Sequence, residues 1–183
     1  MGRGSNRHRL LTHGIAKVST NSVPIAAVEE FLYREARLLD AQKWAEWLEL
    51  YCEDAVFWVP AVTMAGSHTT DAENSLNFIY IAGRVGLEAR AFRVASGGSL
   101  ASNPLPRTRH LISSVMIDED KPDELRAFAN AQSVAFCEAR GQQILTSSYE
   151  YILRKQNGTF RIAQKKILLL EYVIDGYFDF FTI

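Results

Sequence analysis

The sequence predicts an α+β fold in which a cone-like, curved antiparallel sheet wraps around three N-terminal helices. Three observations lead there. Apolar residues recur at spacings of three and four between Ile25 and Leu39, the signature of an amphipathic helix. From Leu111 onward the chain reads as long runs of β-branched, aromatic and alternating residues. Between the last two runs stands Asn157-Gly158, a pair suited to a type I′ hairpin because both central positions need positive φ. With 183 residues, 48% hydrophobic and 22% charged, the chain suits one ordinary globular domain.

In order, residues 1–20 read as a basic arm, flexible or ordered by a partner, and 21–183 as a single α+β domain. The arm holds Arg3, Arg7, Arg9 and Lys17 and no acid, but no 7–15-residue apolar stretch of a secretory signal follows. In the first helix Ile25, Val28, Leu32, Ala36 and Leu39 share a face, with Pro24 in the first turn and Ser22 as the expected cap. Asp40 is placed to cap a second helix carrying Trp44, Trp47, Leu48 and Tyr51. Ala55 to Val59 reads as a short buried strand ending at Pro60. After a loop over 61–72, Thr70-Asp71-Ala72-Glu73 offers a capping box for a third helix. Its apolar positions are Leu76, Ile79, Tyr80, Leu87, Ala91 and Val94, with a break expected at Gly83 and Gly86. Residues 95–107 form a long loop. Strands are then expected over Leu111 to Ile117, Leu125 to Arg140, Gln143 to Arg154 and Thr159 to Ile174, a four-stranded meander.

Lysine and arginine number 20 against 21 acids, a net charge of -1, which argues against a nucleic-acid partner. No apolar run approaches the ~20 residues of a membrane helix, so a cytoplasmic protein without membrane contact is expected. Cys52 and Cys137 are too few for a disulfide scaffold and read as reduced thiols. The histidines are His8, His13, His68 and His110. Two lie in the arm and two in or beside separate loops, so a two-His-one-carboxylate iron site is not expected, and no Cys/His pairing for a Rieske cluster is present. Cys137 reads as core filling, and no phosphate-binding glycine loop occurs.

A cone could still house acid/base chemistry. Tyr33, Asp40, Asp54 and His110 are the candidates for a free-standing dehydratase or isomerase, or for a module that binds a small molecule without chemistry. Each also has a structural reading: Asp40 as a cap, Asp54 at a turn, Tyr33 as a packing aromatic. The cone itself is expected to be filled by Trp44, Trp47, Phe57 and Trp58. An open pocket in which Asp40 and His110 converge would favour the enzyme.

Arginines suggest a different role. Arg90 and Arg93 are three apart on the third helix, and Arg107 and Arg109 follow Pro104 and Pro106 in a stiff cationic lead into a strand. Guanidinium groups favour bidentate contact with carboxylates at interfaces. Phe180 and Phe181 close an aromatic C-terminal segment that must be buried, at an interface or in the chain's own core. Arg90, Arg93, Arg107, Arg109, Phe180 and Phe181 are therefore the interface candidates. In the last strand both faces are apolar, with Ile167, Leu169 and Val173 on one and Leu168, Leu170 and Tyr172 on the other, which predicts self-association through the sheet.

Taken in order, Leu38-Leu39-Asp40, Trp47-Leu48-Glu49-Leu50-Tyr51, Asp54, Phe57-Trp58-Val59-Pro60, Arg90, Arg93, Pro104 to His110 with Leu111 to Val115, and Phe180-Phe181 resemble the small (beta) subunit of bacterial aromatic-ring-hydroxylating, Rieske-type dioxygenases. The likeness runs from about residue 24 to the end, and Arg107-Thr108-Arg109-His110-Leu111-Ile112-Ser113 is its most specific part. It departs from the pattern in the long basic arm and over Ser96 to Ser102. The resemblance implies a nuclear transport factor 2-like, scytalone dehydratase-like fold. It also implies a non-catalytic small subunit that assembles and stabilises the terminal oxygenase component, a trimer within an α3β3 hexamer. The Rieske cluster and mononuclear iron would then belong to the partner large (alpha) subunit, with no cofactor in this chain.

Overall fold

Helix α1, Ile25–Asp40, lies across a six-stranded sheet and turns Val28, Phe31, Leu32, Ala36, Leu38 and Leu39 into it. The computed structural model describes residues 22–98, 103–171, 173–176 and 178–183, so the expected basic arm lies outside the described residues. Pro24 occupies the N-cap position of α1, without the side-chain cap expected from Ser22. The second helix is shorter than expected: α2 spans Trp44–Leu48, its N-cap is Lys43, and Tyr51 already belongs to a strand. Asp40 therefore ends α1 and caps nothing.

Strand β1, Tyr51–Pro60, begins four residues before the expected strand. The chain then departs most from expectation. Asn77–Ala82 is strand β2, paired antiparallel with β1, and helix α3 starts only at Arg84 and runs to Ala95. A helical stripe and an alternating run both fit Leu76, Ile79 and Tyr80. The run Phe78-Ile79-Tyr80-Ile81 is made of residues that pack best on a pleated surface, and sheet pairing decides in its favour. Gly83 separates the two elements at φ 85, a conformation that excludes most side chains. The expected capping box is instead a turn in which the Asp71 carboxylate accepts the Glu73 and Asn74 amides.

The meander is present: β3 Arg107–Asp120, β4 Glu124–Cys137, β5 Gly141–Gln156 and β6 Thr159–Leu169. The β5–β6 turn has positive φ at Asn157 (51) and Gly158 (76), as a type I′ turn requires. Strand β3 starts at Arg107, so the proline-stiffened lead Arg107 to His110 is itself paired, with Arg107 opposite Phe136 and Arg109 opposite Val134. Strand β6 stops at Leu169, short of Val173, and Tyr172 lies outside the described residues. The sheet order is β2-β1-β6-β5-β4-β3. It is antiparallel except where β1 lies parallel to β6.

Successive strand residues face opposite sides of the sheet. One side, with α1, α2 and the C-terminal 3-10 turn Phe180–Thr182, encloses the core, where Trp47, Tyr51, Phe57, Tyr149, Tyr151 and Leu153 are almost wholly buried. Trp47 stacks on Phe180 at 4.8 Å, and Phe180 and Phe181 pack against Trp44. Of the four residues expected to fill the cone, Trp47 and Phe57 do so fully and Trp44 lines its edge. Trp58 does not. It follows Phe57 by one residue, faces the opposite side, and stacks against Lys166 with its indole N–H on Asn77 Oδ1.

Candidate functional site

The interior of the cone carries charge that the helical pattern conceals. Glu35 lies on the apolar face of α1, three residues after Leu32, and Lys165 lies on β6 in phase with the buried Ile167 and Leu169. Lys165 Nζ is 3.0 Å from Glu35 Oε1, and the two side chains are 1% and 2% exposed. The Tyr51 hydroxyl donates to Glu35 Oε1 at 2.8 Å and the Tyr151 hydroxyl to Oε2 at 2.7 Å, while the ammonium also sits 4.4 Å from the centre of the Tyr149 ring. Burial alone would push the Glu35 carboxyl up; the ammonium and the phenol donors reverse that and hold it below its usual range. Burial likewise depresses Lys165 despite Glu35 beside it, and burial next to a carboxylate raises Tyr51 and Tyr151 well above a free phenol. The Glu35 carboxylate is satisfied from within the group, while the Tyr149 hydroxyl is buried without a partner. The acid, the base and the Tyr51 and Tyr151 phenols bond one another and leave no face for a substrate.

Asp40 and His110 do converge. His110 Nδ1 is 2.7 Å from Asp40 Oδ1, the His110 amide donates to Oδ2 at 3.1 Å, and Thr108 Oγ1 donates to Oδ1 at 3.0 Å. Half-burial would raise the Asp40 carboxyl, but these donors hold it below its ordinary range. The pair fastens the end of α1 to the start of β3, with the His110 side chain 1% exposed. Two surface grooves of about 590 Å³ each lie elsewhere, and neither is lined by Asp40 or His110. The expected condition for an enzyme is thus met in its contact and not in its opening.

The remaining candidates are dispersed. Tyr33 is exposed on the outer side of α1, in a groove with Arg34, Arg37 and Leu38, and does not reach the cone. Asp54 makes a bidentate pair with Arg154 (2.6 and 2.8 Å) on the rim of the other groove. Arg90 is bound within the chain, its Nε 2.6 Å from Asp179 Oδ1, and Arg93 approaches the same carboxylate at 4.0 Å. Asp179 in turn caps the turn that buries Phe180 and Phe181, by accepting the Phe180 amide. Those two phenylalanines therefore serve the chain's own core. Arg107 lies over the Phe136 ring and Arg109 donates to the Thr108 carbonyl. His68 contacts the Leu169 carbonyl, and no cluster of three His, Cys, Asp or Glu side chains suited to a metal ion occurs among the described residues.

Comparison with known proteins gives this arrangement its context. The family model described as the ring hydroxylating beta subunit matches residues 34–176. The small subunit of 2-halobenzoate 1,2-dioxygenase from Burkholderia cepacia is 37% identical over 154 residues, covering 82% of this chain and 93% of the relative. The solved beta subunit of benzoate 1,2-dioxygenase from Burkholderia mallei superposes with a TM-score of 0.71 at 29% identity, covering 88% of this chain and 99% of that one. A scytalone dehydratase candidate from Novosphingobium aromaticivorans shares the fold at a TM-score of 0.62 and 16% identity, covering 84% and 90% of the two chains. The cone of strands is thus the scytalone dehydratase-like, nuclear transport factor 2-like fold, and the chain belongs to the family of ring-hydroxylating dioxygenase beta subunits.

Proposed function

We propose that this chain is the non-catalytic small subunit that assembles and stabilises the terminal oxygenase component of an aromatic-ring-hydroxylating dioxygenase. The observation that carries the reading is the filled cone. The Glu35–Lys165 group and the aromatic side chains around it occupy the space in which an acid/base enzyme of this fold would hold its substrate. The Rieske cluster and the mononuclear iron then reside in the large subunit, and the substrate is an aromatic acid, as the names of the halobenzoate and benzoate relatives suggest. We place three copies in an α3β3 hexamer in the cytoplasm. The outer face of the sheet, with exposed Leu111, Met116 and Ile144, supports self-association because such surface gains by being covered.

The role of Arg107 and Arg109 at subunit contacts belongs to this reading. Arg90 and Arg93 are instead engaged within the chain, since both attend Asp179. The test is to express the chain alone and together with its large subunit, purify both preparations under native conditions, and measure iron and acid-labile sulfide in each. The expected result is metal in the complex and none in the small chain alone. Stoichiometric iron retained by the small chain would overturn the reading.

A further inference from the structure

We propose that self-association of this chain is a head-to-tail contact in which Arg107 and Arg109 of one copy meet Asp175 of the next. The inference rests on the trimeric reading above and assigns it a contact.

Arg107 and Arg109 are two residues apart on β3, so both point to the outer face of the sheet, and both are exposed. Among the described residues neither has a carboxylate within ion-pair distance, although Arg84, Arg90 and Arg154 each do. Pairing register surrounds them with apolar side chains: Phe136 and Val134 opposite on β4, Ile144 opposite Val134 on β5, and Leu111 next along β3. The surface is therefore an apolar floor carrying two uncompensated guanidinium groups, which fits a carboxylate flanked by aliphatic side chains.

The same chain presents that complement. Beyond the end of β6, Leu170 and Val173 are 75% and 69% exposed, and they alternate with two acids. Glu171 is turned inward, accepting the Thr146 amide on Oε1 with Oε2 buried, whereas Asp175 is exposed without an ion pair among the described residues. The start of β3 and the end of β6 lie at one end of the sheet, separated by β4 and β5. A contact between two different patches repeats in one rotational sense and closes into a ring when its rotation allows. Cationic and anionic patches on one chain therefore supply the two halves that the trimeric reading needs.

The experiment is light scattering coupled to size exclusion on the full chain at micromolar concentration and moderate salt. It compares the wild type, Arg109→Glu, Asp175→Arg and the double variant, with circular dichroism to verify folding. The expected mass of the wild type is three times the 20.6 kDa chain. Each single reversal should weaken association about tenfold or more, and the double variant should regain it. Arg109→Gln and Asp175→Asn, which weaken the contact without reversing charge, serve if a reversal fails to fold. Trimeric single variants, or a double variant as dissociated as the singles, would overturn this contact and leave the trimer standing. Trimeric Arg109→Glu that no longer captures the large subunit would assign the arginines to that partner and likewise overturn it. A monomeric wild type would remove the trimer itself.

Discussion

Lys165 Nζ and Glu35 Oε1 stand 3.0 Å apart at the centre of the molecule, joining the last strand to the first helix. Two hydroxyls from β1 and β5 complete the carboxylate's bonds, so one acid ties α1 to three strands. Desolvating two charges is costly, and mutual attraction, the two phenol donors on the carboxylate and the Tyr149 ring face beside the ammonium offset that cost.

Opening this pair is expected to be severe. Lys165→Met leaves an uncompensated carboxylate in the core and should cost about 3–5 kcal/mol of unfolding free energy. Adding Glu35→Gln to it should recover part of that loss, because residues in one network couple. Urea denaturation of the two single variants and the double variant measures the coupling, and strict additivity would show that the contact carries no energy.

The phenols predict behaviour in alkali. Tyr51 and Tyr151 have folded-state values raised above that of a free phenol, 10.0, because they are buried against the Glu35 carboxylate. Their contribution to stability is therefore complete below pH 10 and is lost as pH rises toward their folded values. Phenolate absorbance should show Tyr51 and Tyr151 ionising only together with unfolding. Smooth ionisation of every tyrosine near pH 10 in the folded protein would contradict it.

Asp40 behaves in the opposite sense. Its carboxyl is held below its ordinary 3.8 by the His110 and Thr108 donors, which outweigh the opposing effect of burial. Its stabilisation is present above about that pH and disappears as pH falls through the lowered folded value. The stability difference between wild type and Asp40→Asn, followed by denaturation from pH 6 downward, should stay constant to about pH 4 and then shrink.

How much of this was legible in sequence follows from which signals are local. The α1 face, the Asn157-Gly158 turn and the alternation of β5 depend on neighbours a few residues apart and are read correctly. Strand β2 reads as helix in sequence because Leu76, Ile79 and Tyr80 satisfy both periods, and only pairing with β1 separates them. Glu35 sits three residues after Leu32 on the apolar face of α1. Lys165 sits likewise between Ile162 and Ile167. A charge on an apolar stripe is a readable signal, but its partner lies 130 residues away and no spacing rule joins them. The convergence of Asp40 with His110 was legible as two candidates and not as a sealed pair, since opening or closure depends on packing.

The C-terminal aromatic segment gives a further expectation. Phe180 is fully buried against Trp44 and Trp47, and Asp179 holds the turn while it pairs with Arg90. Phe180→Ala should cost about 3–5 kcal/mol through the cavity it leaves. Arg90→Ala should act through the same turn, since it leaves the buried Asp179 with only the more distant Arg93. Thermal unfolding of each variant checks the order, with Phe180→Ala lowest.

The central claim is that this chain builds an oxygenase without performing its chemistry. Native mass spectrometry of the complex co-expressed with the large subunit tests it most directly. The account predicts one dominant species with equal numbers of the two chains, three of each. A large subunit that assembles and remains intact alone, with this chain recovered separately, would contradict it.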